Sequence, residues 1–203
     1  MMRTKNIQSI NVQNKAMQRE IKNQQVPGFV SAGFVSILNY KKLTMTPFKI
    51  VPLSKEYAAR IRATRKDDFG HDVTAKLATG KGPCRVSLQP FVVGKDIRLL
   101  LSHSPFSTDN AFNQPGPVFI NESEVEPYSD VHRFPPAIKA DKESFPLSLI
   151  GYSKDQQMIF TQLVGDEDVD ILISTIFDEL PEVACLHARN AEACCFICAI
   201  ERA

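Results

Sequence analysis

Three of the chain's five cysteines fall within five residues, Cys194-Cys195-Phe-Ile-Cys198, and His187 and Arg189 stand just before them; a second reactive pair, Cys84-Arg85, lies about a hundred residues upstream. A thiol near a base or a cation ionises readily and becomes a nucleophile, so Cys84 or Cys195 with His187 as base would make an enzyme. Thiolates and an imidazole also bind zinc, which makes Cys185, His187 and Cys195 a weak metal set with Cys84 as fourth ligand. Arg85, Arg189 and Asn190 could instead form a pocket for a small anionic ligand, because forked guanidinium donors match a carboxylate or phosphate. The plain alternative makes the cysteines small core hydrophobes, His187 an internally bonded ring and the arginines ties between loops. Residue types weigh most toward that alternative. The expected function is therefore a non-catalytic structural or interaction module, with the anion pocket and the Cys/His enzyme as alternatives, and no cofactor is implied.

The elements that must position these residues come next. Glu182 to Ala188 and Cys194 to Ile200 read as two strands joined by Arg189 to Ala193, because runs apolar on both faces suit strands covered on both sides. With a five-residue loop, Ala188 would face Cys194, His187 would face Cys195 and Cys185 would face Ile197. Cys185, His187 and Cys195 would then share one face, with Cys194 and Cys198 on the other. In this register the Cys195-Phe-Ile-Cys198 spacing loses its redox meaning, since residues three apart in a regular strand point to opposite faces.

Upstream, Phe48 to Val51 suits a strand, and Ser54 an N-cap for a helix from Lys55 to about Arg65 with Tyr57, Ala58 and Ile61 on one face. Gly82-Pro-Cys-Arg-Val-Ser-Leu88 reads as a turn entering a strand, which puts Cys84 and Arg85 at its start. Ile97 to Ser102 and Gly116 to Ile120 are further strands, and the polar loop between them, Ser104 to Pro115, is long enough to act as a lid or rim. Residues 121–144 are polar and acidic, with Glu122, Glu124 and Glu126 reading as a solvated edge. Phe145 to Tyr152 and Met158 to Val164 form a hairpin. Val169, Leu172, Ile173, Ile176, Phe177 and Leu180 keep a helical period behind acidic residues, and Pro181 stops it. This order predicts one α+β domain with a mostly antiparallel sheet and two main helices, ending in a buried C-terminal β-hairpin.

Length and charge bound the rest. A chain of 203 residues with 43% hydrophobic content supports one core. Net charge is +1, but residues 1–44 carry seven Lys/Arg against Glu20, leaving seventeen against twenty-two acidic residues beyond them. An acidic body without a basic stripe argues against nucleic acid as a partner. No apolar run reaches the length of a membrane span, and crowded, odd-numbered cysteines fit reduced thiols in a cytoplasm. Residues 1–44 read as an N-terminal extension, disordered or translated in error from upstream, with Met45 as the initiator of a globular 45–203.

The chain resembles a bacterial family known as domain of unknown function 1203. The resemblance rests on Gly82-Pro-Cys-Arg-Val-Ser-Leu88, Leu99-Leu-Leu101, Gly116-Pro-Val-Phe-Ile120, Gly151-Tyr152 and the ending His187-Ala-Arg-Asn-Ala191, Cys195-Phe196, Glu201-Arg-Ala203. It spans about 46–203. Cys194 stands where the family pattern has a glycine, and Ile150 where it has an arginine. The family implies no particular activity.

Overall fold

The structure, a computed structural model, describes residues 46–203; residues 1–44 and Met45, with the extension and start site expected for them, lie outside the described residues. Two antiparallel sheets form where one was expected. The larger comprises β1 (Phe48–Val51), β5 (Leu147–Tyr152), β6 (Met158–Leu163), β7 (Cys185–Asn190) and β8 (Phe196–Arg202), in the order β1-β8-β7-β5-β6. The smaller is β2 (Thr74–Leu77), β3 (Ile97–His103) and β4 (Gly116–Asn121) in chain order. The helices are α1 (Lys55–Thr64), the short α2 (Pro136–Ala140) and α3 (Val169–Glu179). The architecture is a mixed α+β domain ending in the β7–β8 hairpin.

Each sheet has its own core. Leu147, Leu149, Leu186, Ala188, Cys198 and Ile200 pack against Leu172, Ile173, Ile176 and Phe177 of α3. The second core gathers Ala58 and Ile61 of α1 with Leu99, Leu101, Val118 and Ile120. Both long helices start on capping side chains: Ser54 accepts from the Tyr57 amide, and Asp168 from those of Asp170 and Ile171. Phe196 belongs to a strand of the larger sheet yet packs in the second core, so the two cores meet there.

That crossing depends on a bulge, which also corrects the predicted hairpin register. Cys185 faces Glu201, His187 faces Ala199 and Ala188 faces Cys198, but Arg189 faces Phe196, so Ile197 is the extra residue. The strands are therefore not paired through Cys194 and Cys195, which lie in the turn. Asn190 builds that turn: its Oδ1 accepts from the amides of Glu192 and Ala193, its carbonyl from Cys194, and Cys194 is left-handed at φ 58°. Cys185, His187 and Cys195 consequently do not line one face as expected. The bulge instead sets Phe196 and Ala199 on the face of His187, with Ile197 and Cys198 on the face of α3.

A second correction concerns Gly82 to Leu88, which turns rather than entering a strand. The Leu88 amide donates to the Cys84 carbonyl, the Cys84 amide donates to the Gln89 carbonyl, and Leu88 is left-handed at φ 53°. Prolines at both arms of this turn, Pro83 and Pro90, form only an isolated bridge, because neither has an amide proton for a ladder. Among the described residues, no helix is long and apolar enough to cross a membrane.

Candidate functional site

The face of the larger sheet away from α3 carries Tyr152, Cys185, His187 and Arg189, because Tyr152 pairs with Cys185 and Ile150 with His187 in the β5–β7 register. His187 is only 3% exposed, and its ring is boxed by aromatic neighbours. Tyr152 lies 4.5 Å away between centroids, Phe106 5.1 Å and Phe196 5.3 Å. Phe106 comes from the long polar loop after β3, which Gln156 holds down by accepting from the amides of Ser107 and Thr108. The loop thus contributes a wall to the cluster.

On the far side of Phe196 stands His103, at the end of β3, 5.7 Å away between centroids. Its Nδ1 is 3.2 Å from the Tyr57 hydroxyl, which donates to Asp68 Oδ2 at 2.9 Å, and Asp68 also pairs with Arg60. Helix α1, the following loop and two sheets therefore meet at one row of rings: Tyr57, His103, Phe196, His187, Tyr152 and Phe106.

The arginines flank this row in different ways. Arg85, 3% exposed, donates from Nε to the Phe196 carbonyl at 2.6 Å and from Nη1 to the Pro83 carbonyl. Burial lowers its pKa to about 10, opposed by the nearby thiols of Cys195, Cys84 and Cys198. Arg189 donates from Nη1 to the Cys194 carbonyl at 3.1 Å, while its Nε is buried without a hydrogen-bond partner. His187 Nδ1 is likewise buried and unpartnered among the described residues. Neither Arg85 nor Arg189 has a carboxylate partner among those residues, where eight Lys or Arg pairs with carboxylates are formed elsewhere.

The surroundings keep both imidazoles neutral. Burial, with the charge of Arg189 and then His103 beside it, lowers His187 to about 3. His103 falls to about 4, again through burial, with Asp68 opposing and Arg85 adding to the effect. Tyr152 is raised by burial, with Arg189 working against it.

Of the residues predicted from sequence, His187, Arg85 and Arg189 come together around Phe196, and the thiol of Cys195 lies near the Arg85 guanidinium. Cys195 Sγ donates to the Ala193 carbonyl, and Cys84 is buried beneath the turn in the second core; neither thiol hydrogen-bonds to His187 among the described residues. Cys198 lies on the opposite face of its strand, its pKa pushed up to about 12 by burial. No group of three or more His, Cys, Asp or Glu among the described residues is gathered closely enough to hold a metal ion, so Cys185, His187 and Cys195 do not converge as a zinc set. Asn190 is occupied with its own turn.

Tyr57, Asp68, His103, Phe106, Tyr152 and Phe196 were not singled out from sequence as site residues. Tyr152 and Phe196 sat inside the matched stretches Gly151-Tyr152 and Cys195-Phe196, and Phe106 inside the loop read as a rim, so those three had a signal. A Cβ at Gly151 would crowd Phe160 Cβ at 3.0 Å and Val183 at 3.2 Å, so any other residue there would need these neighbours to give by a few tenths of an ångström. His103, Tyr57 and Asp68 had no signal.

No curated protein and no solved structure matches the chain significantly. The family described as "Protein of unknown function (DUF1203)" matches residues 81–202, a range that includes Arg85, His103, Phe106, Tyr152, His187, Arg189 and Phe196 and leaves out Tyr57 of the row with its hydrogen-bond partner Asp68; the chain belongs to that family.

Proposed function

We propose that the row of rings around Phe196 binds a small organic anion, with Arg189 and His187 as its direct partners and Phe106 and Tyr152 as walls for a flat apolar body. The observation that carries this reading is the pair of buried, unpartnered polar atoms, Arg189 Nε and His187 Nδ1, on one face of β7. A buried polar group left without a partner costs roughly 1–3 kcal/mol, and a native fold keeps few of them without a reason. Two guanidinium charges without a carboxylate add a field that favours an anion, and neutral imidazoles do not compete with it.

Arg85 and Asn190 serve the backbone, which is what a purely structural module would use them for. Arg189 Nε and His187 Nδ1 serve nothing in the described fold, and that difference favours a ligand. Arg85 then contributes charge from behind Phe196, while Arg189 contributes the hydrogen bond. The Cys/His enzyme has less support, since His187 activates neither Cys84 nor Cys195 through a hydrogen bond.

The test is an NMR titration of the full chain with sodium phenylacetate, following the imidazole signals. Saturable shifts of the His187 ring, lost in Arg189→Gln, are expected. Shifts that never saturate, or that survive unchanged in Arg189→Gln, would overturn the reading.

A further inference from the structure

The two edges of the larger sheet are finished differently. On β1 the Ile50 amide donates to the Val131 carbonyl at 2.7 Å, and the His132 ring lies 2.7 Å from the Phe48 carbonyl, so residues 131–132 close that edge. In the smaller sheet the Arg85 amide and the Arg62 side chain donate to the Phe119 and Asn121 carbonyls of β4, and β2 is short and carries Lys76. β6 has no such cover: beyond its ladder with β5, its residues make no hydrogen bond among the described residues. Its sequence, Met158-Ile-Phe-Thr-Gln-Leu163, also holds no charged residue and no proline, the types that keep an edge from pairing. A bulge at Ile159, the extra residue between the pairs Tyr152–Met158 and Gly151–Phe160, guards only the start of the strand.

The β5–β6 register decides which groups are left open. The Val164 amide donates to the Leu147 carbonyl, and in an antiparallel pair residues that exchange hydrogen bonds alternate with residues that do not. Gln162 opposite Leu149 and Phe160 opposite Gly151 therefore turn their backbone groups to β5. The amides and carbonyls of Thr161 and Leu163 point away from the sheet. Met158 and Ile159 are 43% exposed and Leu163 67%, so the open edge is apolar at both ends.

We propose that β6 is a dimer edge, pairing antiparallel with β6 of a second copy of this chain about a two-fold axis through Thr161 and joining two five-stranded sheets into one. This register sets the open amide and carbonyl of each Thr161 against those of the other. It also lays Leu163 of each copy beside Ile159 of the second, so the same apolar pair forms twice. The ends of the strand match as well. Lys154 in the β5–β6 turn, and Asp166 and Glu167 just past β6, form no ion pair among the described residues. Antiparallel pairing brings the turn of one copy to the acidic end of the other. Asp155 beside Lys154 keeps that attraction small, so the charges set register more than affinity. A foreign strand could meet the backbone groups, but the apolar pairs and the charged ends are matched by this strand's own sequence read backwards. The inference stands independently of the anion site.

Sedimentation velocity on the full chain tests it, across about 1 to 200 µM because one short strand makes a small interface. The mass is expected to move from one chain to two and to stop there. Leu163→Lys changes an exposed side chain, is expected to keep the wild-type urea midpoint at low concentration, and is expected to weaken dimerisation at least about tenfold by setting an unpaired charge against Ile159. Thr161→Cys places two thiols across the axis, so mild oxidation is expected to give a reducible dimer faster than in wild type, whose exposed Cys194 serves as the control. A single chain at every concentration would overturn the second copy as the occupant of this edge. Growth past two chains, a dimer unaffected by Leu163→Lys, or a Thr161→Cys chain that crosslinks no faster than wild type would overturn the two-fold pairing through Thr161.

Discussion

His103 and His187 resist protonation in the fold, at about 4 and about 3 against 6.5 for a free ring, chiefly because burial withholds water from the charged form. Between those values the unfolded chain takes up protons that the folded chain refuses. Stability is therefore fully present above pH 6.5 and is lost as pH falls from 6.5 toward 4 and then 3. Each ring contributes on the order of 1 kcal/mol per pH unit in the steep part of that window. Urea midpoints of the full chain measured at pH 7.5, 6.0 and 5.0 should fall progressively, and His187→Gln should flatten the slope. An unchanged slope in that variant would mean that His187 takes up its proton as readily in the fold as in the unfolded chain. At this scale the sequence was half informative. His187, Arg85 and Arg189 are reactive types in short distinctive stretches, whereas the chain from Asp68 through Tyr57 to His103 joins three elements and leaves no local pattern to read.

The helices were legible because their signals are local. Ser54 and Asp168 cap the first turns they precede, and the 3.6-residue period of α3 faces its sheet. Short or exposed elements were missed: Thr74–Leu77 is an outer strand exposed along its length, and Pro136–Ala140 has only five residues. The β7–β8 register failed for a sharper reason, since a left-handed residue and a one-residue bulge leave no mark on hydrophobic alternation. The backbone at Cys194, left-handed at φ 58°, is a conformation that glycine adopts more readily than any residue with a side chain. A side chain in the left-handed region costs roughly 1–2 kcal/mol, offset in part by the greater freedom glycine has when unfolded. Cys194→Gly should therefore stabilise the chain by about 0.5–1 kcal/mol, seen as a higher urea midpoint at constant slope. A loss of stability would show that the thiol contributes more than its backbone costs.

Among the described residues, the larger sheet reaches the second core through β8, chiefly by the ring of Phe196 with Ala199 beside it. Phe196 lies in a strand of the first and packs in the second, and Arg85 locks its carbonyl from 111 residues away. Phe196→Ala should cost about 3–5 kcal/mol, as for a large buried aromatic, and should shift both His103 and His187 resonances. A cost near 1 kcal/mol with the two rings undisturbed would mean that the cores are joined elsewhere. That meeting point was out of reach from sequence, because it depends on how the bulge at Ile197 turns one ring toward the other core.

The strand order β1-β8-β7-β5-β6 has a consequence for biosynthesis. β7 and β8 occupy the middle of their sheet, yet they leave the ribosome after every other described strand. Until they emerge, β1 on one side and β5 with β6 on the other have no neighbour to join them, and the apolar face of α3 has only part of its sheet to cover. The nascent chain thus carries unpaired strand edges and exposed core side chains until β7 and β8 are made, the period in which a chaperone would bind it and in which a ribosome stalled short of Leu186 would leave a product unable to close its sheet.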